Sequence, residues 1–240
     1  MQLFFDPLIT IAQQEIVFSN EESRHISRVL RKKTNDPIIV TNGKGLAWHG
    51  RLKIVDQRHT VAVQTESTQH QVKAQKIHLA IAPTKSNDRM EWLLEKATEI
   101  GVHTITPIQC HHSERKTIKA ERFNKILISA LKQSQQLFIP QLNPLVTMNE
   151  FVANTTAPFY IAHCEKGDKT ALSALNFNTT QTTILIGPEG DFSSDEIAYA
   201  IKNGGIPVSL GENRLRTETA GIVAVHTVVL KQSLDLKKTN

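Results

Sequence analysis

Two glycine-bounded turns carry the residues best suited to chemistry: Gly187-Pro188-Glu189-Gly190, and Gly211-Glu212-Asn213-Arg214-Leu215-Arg216 running directly into Thr217-Glu218-Thr219. Proline denies the backbone a ladder donor and glycine admits positive φ, so the first turn ends the aliphatic run Ile184-Leu185-Ile186 sharply. Ser193 and Glu196 then hold the spacing of a capping box, opening a helix with Ile197, Ala198 and Ile201 on one face. Each turn thus stands between a strand and a helix, an arrangement that forms ligand crevices at the strand ends of open α/β sheets. Adjacent parallel strands would set both turns on one rim. By itself the tetrapeptide reads as a tight turn before it reads as a cofactor loop. Neither turn has the closing Gly-Lys-Ser/Thr of a Walker A loop or a G-x-G-x-x-G fingerprint, which disfavours a triphosphate or a nicotinamide cofactor. His111-His112 and His163-Cys164 lack a third ligand at a recognised spacing, so no metal is expected.

The elements that must position these turns are legible from about residue 76 onward. Ile77 to Ala82 has the texture of a buried strand, and Ser86-Asn87 can cap a helix whose Met90, Leu93, Leu94, Ala97 and Ile100 keep helical spacing until Gly101. Val102 to Ile108 and Phe159 to Ala162 read as strands, Lys119 to Phe138 as a helix ending before Pro140, and Asn149 to Thr156 as a loop and helix start. Ile206 to Leu210 is the strand before the second turn. Alternation of strands with helices predicts a mostly parallel sheet covered on both faces. The helix from Thr217 to Leu230 is apolar nearly all round, which suits the central packing element of the domain or a subunit interface.

Residues 1 to about 70 have a different texture, with short β-like runs at Glu15–Phe18, Pro37–Thr41, Leu46–Val55 and Thr60–Thr65, and a hairpin signal at Asn42-Gly43-Lys44-Gly45. One helix interrupts them, from Glu21 to Lys33. It sets Ile26, Val29 and Leu30 on one face and leaves Arg24, Arg28, Arg31, Lys32 and Lys33 for solvent or for phosphate. The polar stretch 66 to 75 reads as a linker, giving domains 1–70 and 71–240.

The 240 residues carry 28 Lys plus Arg against 23 Asp plus Glu, a net charge of +5 and a pI near 9.2, which permits a polyanionic partner without requiring one. No run approaches the roughly 18 apolar residues of a membrane helix, and the N-terminus lacks a secretory pattern, so the expected location is cytoplasmic with no membrane partner. Cys110 and Cys164 are expected to be reduced and buried.

Taken together, Gly187-Pro188-Glu189-Gly190, Phe192-Ser193, Glu196, Leu210-Gly211 and Leu215-Arg216-Thr217-Glu218-Thr219-Ala220 resemble the C-terminal signature of the RsmE family, the uridine-N3 methyltransferases of 16S ribosomal RNA in the SPOUT superfamily. His25-Ile26 with Val29-Leu30-Arg31 resembles the family's N-terminal PUA-like domain. Glu91, Leu94-Glu95-Lys96 and Thr98-Glu99-Ile100-Gly101-Val102 resemble its first catalytic-domain helix, and Ser113-Glu114-Arg115 and Gln133-Ser134 also fall in family positions. The resemblance implies an α/β fold with a C-terminal trefoil knot, preceded by a smaller PUA-like β-barrel. It also implies S-adenosylmethionine as cofactor, a homodimer, and 16S rRNA within the small ribosomal subunit as partner.

By resemblance, Leu185, Ile186, Gly187, Pro188, Glu189, Gly190, Leu210, Gly211, Leu215, Arg216, Thr217 and Thr219 are cofactor contacts, with Tyr160 to Cys164 bordering the pocket. Arg24, His25, Arg28 and Arg31 are the expected RNA contacts. Uracil N3 is protonated near neutral pH, so methyl transfer to it calls for a base and an anion-stabilising cation. Glu189 or Glu218 could be the base, and Arg216 or Arg115 the cation. Departures from the family pattern fall at Gln2, Gln136, Asn213-Arg214 and Asp191, the last where a second glycine is frequent. The competing expectation is an RNA-binding protein that keeps the knotted fold without catalysis; a Rossmann-type nucleotide enzyme is a third.

Overall fold

The computed structural model describes residues 2–72, 75–156, 158–177 and 179–238, which form two compact units: Met1–Val72 with Leu131–Ile139, and Lys73–Ala130 with Pro140–Asn240. In the first, β1 (Leu3–Phe5), β2 (Glu15–Val17), β3 (Pro37–Thr41), β4 (Leu46–Ile54) and β5 (Val61–Gln69) form one sheet ordered β1-β3-β4-β5-β2. Along β4 the side chains alternate, Trp48 and Leu52 buried and Arg51 and Lys53 exposed, as a half-buried strand requires. Trp48, Phe4, Ile26, Ile38 and Val40 fill the core beneath.

The expected helix of residues 21–33 is shorter and of mixed pitch. Helix α1 (Asn20–Arg24) begins at Ser19, whose hydroxyl accepts the Glu22 amide at 3.2 Å, and passes into a π-helical turn over His25–Val29. The wider turn, with the Leu30 amide donating to the His25 carbonyl at 3.0 Å, rotates the residues after Ile26. Ile26 is therefore fully buried while Val29, expected beside it, is 67% exposed. Residues 66–69, expected in a linker, continue β5, and residues 73 and 74 of that linker lie outside the described residues.

The second unit is built on a parallel sheet. Its strands are β6 (Lys76–Ile81), β7 (Thr104–Gln109), β8 (Gln141–Leu142), β9 (Val146–Thr147), β10 (Phe159–Ala162), β11 (Thr170–Ala171), β12 (Gln181–Ile186) and β13 (Gly205–Ser209). They are ordered β11-β13-β10-β12-β6-β7-β8, with β9 also pairing β7 and every pairing parallel. Strands β12 and β13, expected to be adjacent, are separated by β10; being parallel, all three still end on the same rim.

One face of the sheet, with Ala80, Ile108, Ile161 and Leu185, packs against α4 (Met148–Ala153) and α5 (Ser194–Lys202) through Phe151, Val152, Ile197 and Ala200. The Ser193–Glu196 capping box that opens α5 is formed from both sides. The opposite face carries α6 (Thr217–Lys238), which packs on β6 and β12 and against α2 (Asn87–Ile100). Gly221 permits that approach: a Cβ there would stand 2.8 Å from Leu93 Cδ1 and 2.9 Å from Ile81 Cδ1.

Helix α3 (Ala120–Ser134) stops four residues before the expected Phe138, where Gln135 takes a left-handed φ of 56°. The chain beyond is used differently: the Ile139 amide donates to the Gly43 carbonyl at 2.9 Å, so this segment joins the Asn42–Gly45 hairpin of the first unit. Helix α6 runs eight residues past Leu230, and Leu230 and Leu234 on it are 48% and 47% exposed. No helix among the described residues is long and apolar enough to cross a membrane.

Candidate active site

The ends of β10, β12 and β13 and the start of α6 surround a cleft of about 260 Å³, whose walls include Ala162, Cys164, Gly187, Glu189, Asp191 and Arg216. A second cleft of about 320 Å³ adjoins it, sharing Ala162, Cys164, Arg214, Leu215 and Ala220 and adding Leu210 and Gly211. Pockets of this size at strand ends are the usual place for a small-molecule ligand. A larger cleft of about 360 Å³ around His78 and Thr106 lies elsewhere, and none of the expected site residues lines it.

The expected residues divide between this site and its supports. Ile186, Gly187, Pro188, Glu189, Leu215, Arg216 and Thr217 converge on the first cleft, and Leu210, Gly211 and Leu215 on the second. Leu185 is fully buried in the core beneath α4 and α5. Thr219 is half-buried on α6. Gly187 and Gly190 lack side chains for a reason inside the protein. A Cβ on Gly187 would stand 3.0 Å from the Phe192 ring, and one on Gly190 would stand 3.0 Å from His112 Cβ.

Among the four charged candidates, Glu189 and Arg216 share the cleft. Glu189 is anchored through one oxygen, Oε1 accepting the Lys85 amide at 3.0 Å, and its side chain is exposed. Glu218 is buried and faces α2, with Oε1 3.7 Å from Arg89 Nε and Oε2 buried without a hydrogen-bond partner. Its ion-pair partner is thus Arg89 on α2. Arg115 acts as a brace: its guanidinium donates to Asn87 Oδ1 and, at 2.6 Å, to the Lys85 carbonyl. Lys85 in turn pairs with Glu114 at 2.8 Å, and that carboxylate raises the lysine's pKa.

Arg214 and Asp191, which sequence reasoning did not assign to the cofactor, complete the walls: Arg214 lines both clefts and Asp191 faces the first, while Cys164, expected at the pocket border, lines both. Cys110 is buried, and its thiol is pushed far up by desolvation, so it is inert as a nucleophile. Cys164 is exposed rather than buried as expected, because it sits past the end of β10 on the rim. Beside this rim the His163 imidazole has both nitrogens buried without a hydrogen-bond partner, and desolvation lowers its pKa. In the first unit, Arg24, Arg28 and Arg31 are exposed and His25 is half-buried, with Arg28 donating to Gln57 Oε1 at 2.6 Å.

The cleft's acidic and basic groups suit a zwitterion that also carries a positive centre. Glu189 can face a sulfonium or ammonium group, and Arg214 and Arg216 a carboxylate. S-adenosylmethionine has those three groups, so the residues present fit it.

Comparison with known proteins adds the following. The family described as RNA methyltransferase domain matches residues 71–229, and that described as RNA methyltransferase PUA domain matches 18–66. The ribosomal RNA small subunit methyltransferase E of Buchnera aphidicola subsp. Acyrthosiphon pisum is 33% identical over 230 residues, covering 88% of this chain and 86% of that protein. A probable rRNA-methyltransferase from Porphyromonas gingivalis superposes with a TM-score of 0.89 at 37% identity, covering 98% of this chain and 100% of the other. The Neisseria gonorrhoeae ribosomal RNA small subunit methyltransferase E, bound to S-adenosyl methionine, superposes with a TM-score of 0.85 at 27% identity, covering 98% of each chain.

Proposed function

Because the chain belongs to the ribosomal RNA small subunit methyltransferase E family, it is an S-adenosylmethionine-dependent rRNA methyltransferase, and we propose that its acceptor is N3 of a uridine in 16S rRNA. The observation that supports the assignment of roles is the convergence of Glu189, Arg216 and the turns 186–189 and 214–217 on one cleft. Bound there, S-adenosylmethionine supplies a methyl group on a positively charged sulfur.

The chain's own residues then divide the work. Arg214 and the second turn hold the amino-acid end of the cofactor, and the aliphatic wall at Ile186 and Leu215 excludes water from the transfer path. Glu189 keeps Oε1 on the Lys85 amide and takes the N3 proton on Oε2; Arg216 stabilises the negative charge that develops on the uracil carbonyls. The proton released from N3 would thus rest on Glu189 Oε2, balancing the methyl group that the bound cofactor would supply while becoming a neutral thioether. Glu218 and Arg115 are assigned supporting roles, the first at the α2–α6 contact and the second beneath Lys85.

The reading extends to assembly. A homodimer through α2 and α6 would cover Trp92, Leu230 and Leu234, which are 44 to 48% exposed. A threaded C-terminus fits the path of the chain, since α6 leaves β13 near one edge of the sheet and returns to pack on α2, β6 and β12. The exposed Arg24, Arg28 and Arg31 are the proposed RNA contacts of the first unit, with His25 beside them.

Incubation with labelled S-adenosylmethionine and small subunits lacking the modification tests the activity. Label in 16S rRNA, mapping to uracil N3, is the expected result. Cofactor binding without incorporation would favour the non-catalytic RNA-binding alternative.

A further inference from the structure

We propose that Asp191 is a positioning residue that holds the cofactor cleft in its receiving shape, an inference that rests on the methyltransferase reading above. Its carboxylate joins two walls of the cleft. Oδ2 accepts the Cys164 amide, past the end of β10, at 2.6 Å; Oδ1 accepts the Phe192 amide, in the segment after β12, at 2.9 Å. Its carbonyl oxygen lies 3.1 Å from His112 Nδ1, which therefore carries the proton and ties in the segment after β7. Three strand ends of the sheet meet at this one residue, and Asp191 and Cys164 themselves face the cleft.

The backbone supplies a second, independent observation. Asp191 has φ +64°, where a side chain is disfavoured relative to glycine. A glycine would satisfy the turn with less strain, so the carboxylate is retained against a local conformational cost. Its contacts explain what that carboxylate does: a charge-assisted hydrogen bond spans from the β12 turn to the β10 terminus, organising the walls before the cofactor arrives.

The two effects of the side chain have opposite signs, which makes the inference testable with the full-length protein. In Asp191→Gly the strain is relieved and the clamp is deleted. The expected result is a melting temperature without cofactor equal to or above wild type, together with S-adenosylmethionine affinity about tenfold weaker by calorimetry. Asp191→Asn keeps a side chain tolerant of left-handed φ and an amide oxygen able to accept the Cys164 N–H, so its affinity should stay within about threefold of wild type. Wild-type affinity in the glycine variant would overturn the proposal. So would a parallel fall of melting temperature and affinity in both variants, which would mark a general contribution to stability. A wild-type protein that takes up no S-adenosylmethionine would sink the methyltransferase reading itself, whereas wild-type uptake with an unaltered glycine variant would sink this proposal alone.

Discussion

At the scale of single residues, Glu189, within the first glycine-bounded turn, is distinguished from Glu218, just after the second, by where their carboxylates lie: the first is exposed at the cleft and the second is buried against α2. Glu189→Gln can still accept the Lys85 amide, so the loop should hold while the proton acceptor is lost. A fall in single-turnover methyl transfer of about 10²-fold, with cofactor affinity little changed, is the expected outcome. Arg216→Ala should cost a similar factor if its guanidinium stabilises the developing anion. His78 offers a separate test away from the site. Burial pushes its imidazole from 6.5 down to about 4, and it bonds Thr106 Oγ1 at 2.7 Å. Its folded pKa is depressed, so the unfolded chain binds the extra proton between about pH 6.5 and 4. The contribution is complete above pH 6.5 and is lost as pH falls through the folded value, about 3 kcal/mol in all. Urea midpoints at pH 7 and pH 4.5 should differ accordingly, and His78→Asn should shrink the difference.

At the scale of elements, α6 is the part whose amino-acid pattern is least like that of an ordinary surface helix. Its buried residues Gly221, Ala224, Val225 and Val228 lie against α2 and the sheet. Gly221→Val would drive a branched side chain into Leu93 and Ile81 and should destabilise the second unit by about 1–3 kcal/mol, seen as a lower thermal midpoint. Much of this level was legible from the residues. The α5 capping box, the Asn42–Gly45 hairpin and the β12 aliphatic run all depend on neighbours within a few positions. The π-turn at His25–Val29 and the early end of α3 were not, because each is set by what the chain packs against: Ile26 by the core of the first unit, and Leu137–Ile139 by the hairpin they join.

At the scale of the whole molecule, two surfaces remain to be matched with partners. If α6 and α2 form the proposed dimer face, Leu230→Glu combined with Leu234→Glu should convert a dimer to a monomer in sedimentation velocity without unfolding the chain. For the RNA, replacing Arg28 and Arg31 by alanine should remove two phosphate contacts. The slope of log affinity against log salt would then fall by about 1.4, with little change in discrimination between RNA sequences. An unchanged slope would move the RNA face elsewhere.

The residues by themselves determined the alternation of strand, turn and helix after residue 76, the capping of α5 and the apolar character of α6. These are local consequences of periodicity and turn chemistry. They also carried the family resemblance, since its signature lies in two short stretches. Only the tertiary structure decided that β10 separates β12 from β13, that Glu218 faces Arg89, and that His112 occupies the space beside Gly190. Asp191 shows the difference most directly. Its position just after the turn is visible in the chain, but its hydrogen-bond partners at Cys164 and His112 are 27 and 79 residues away. Such partners are chosen by strand order and by the faces that pack, and neither is encoded in the spacing of neighbouring residues.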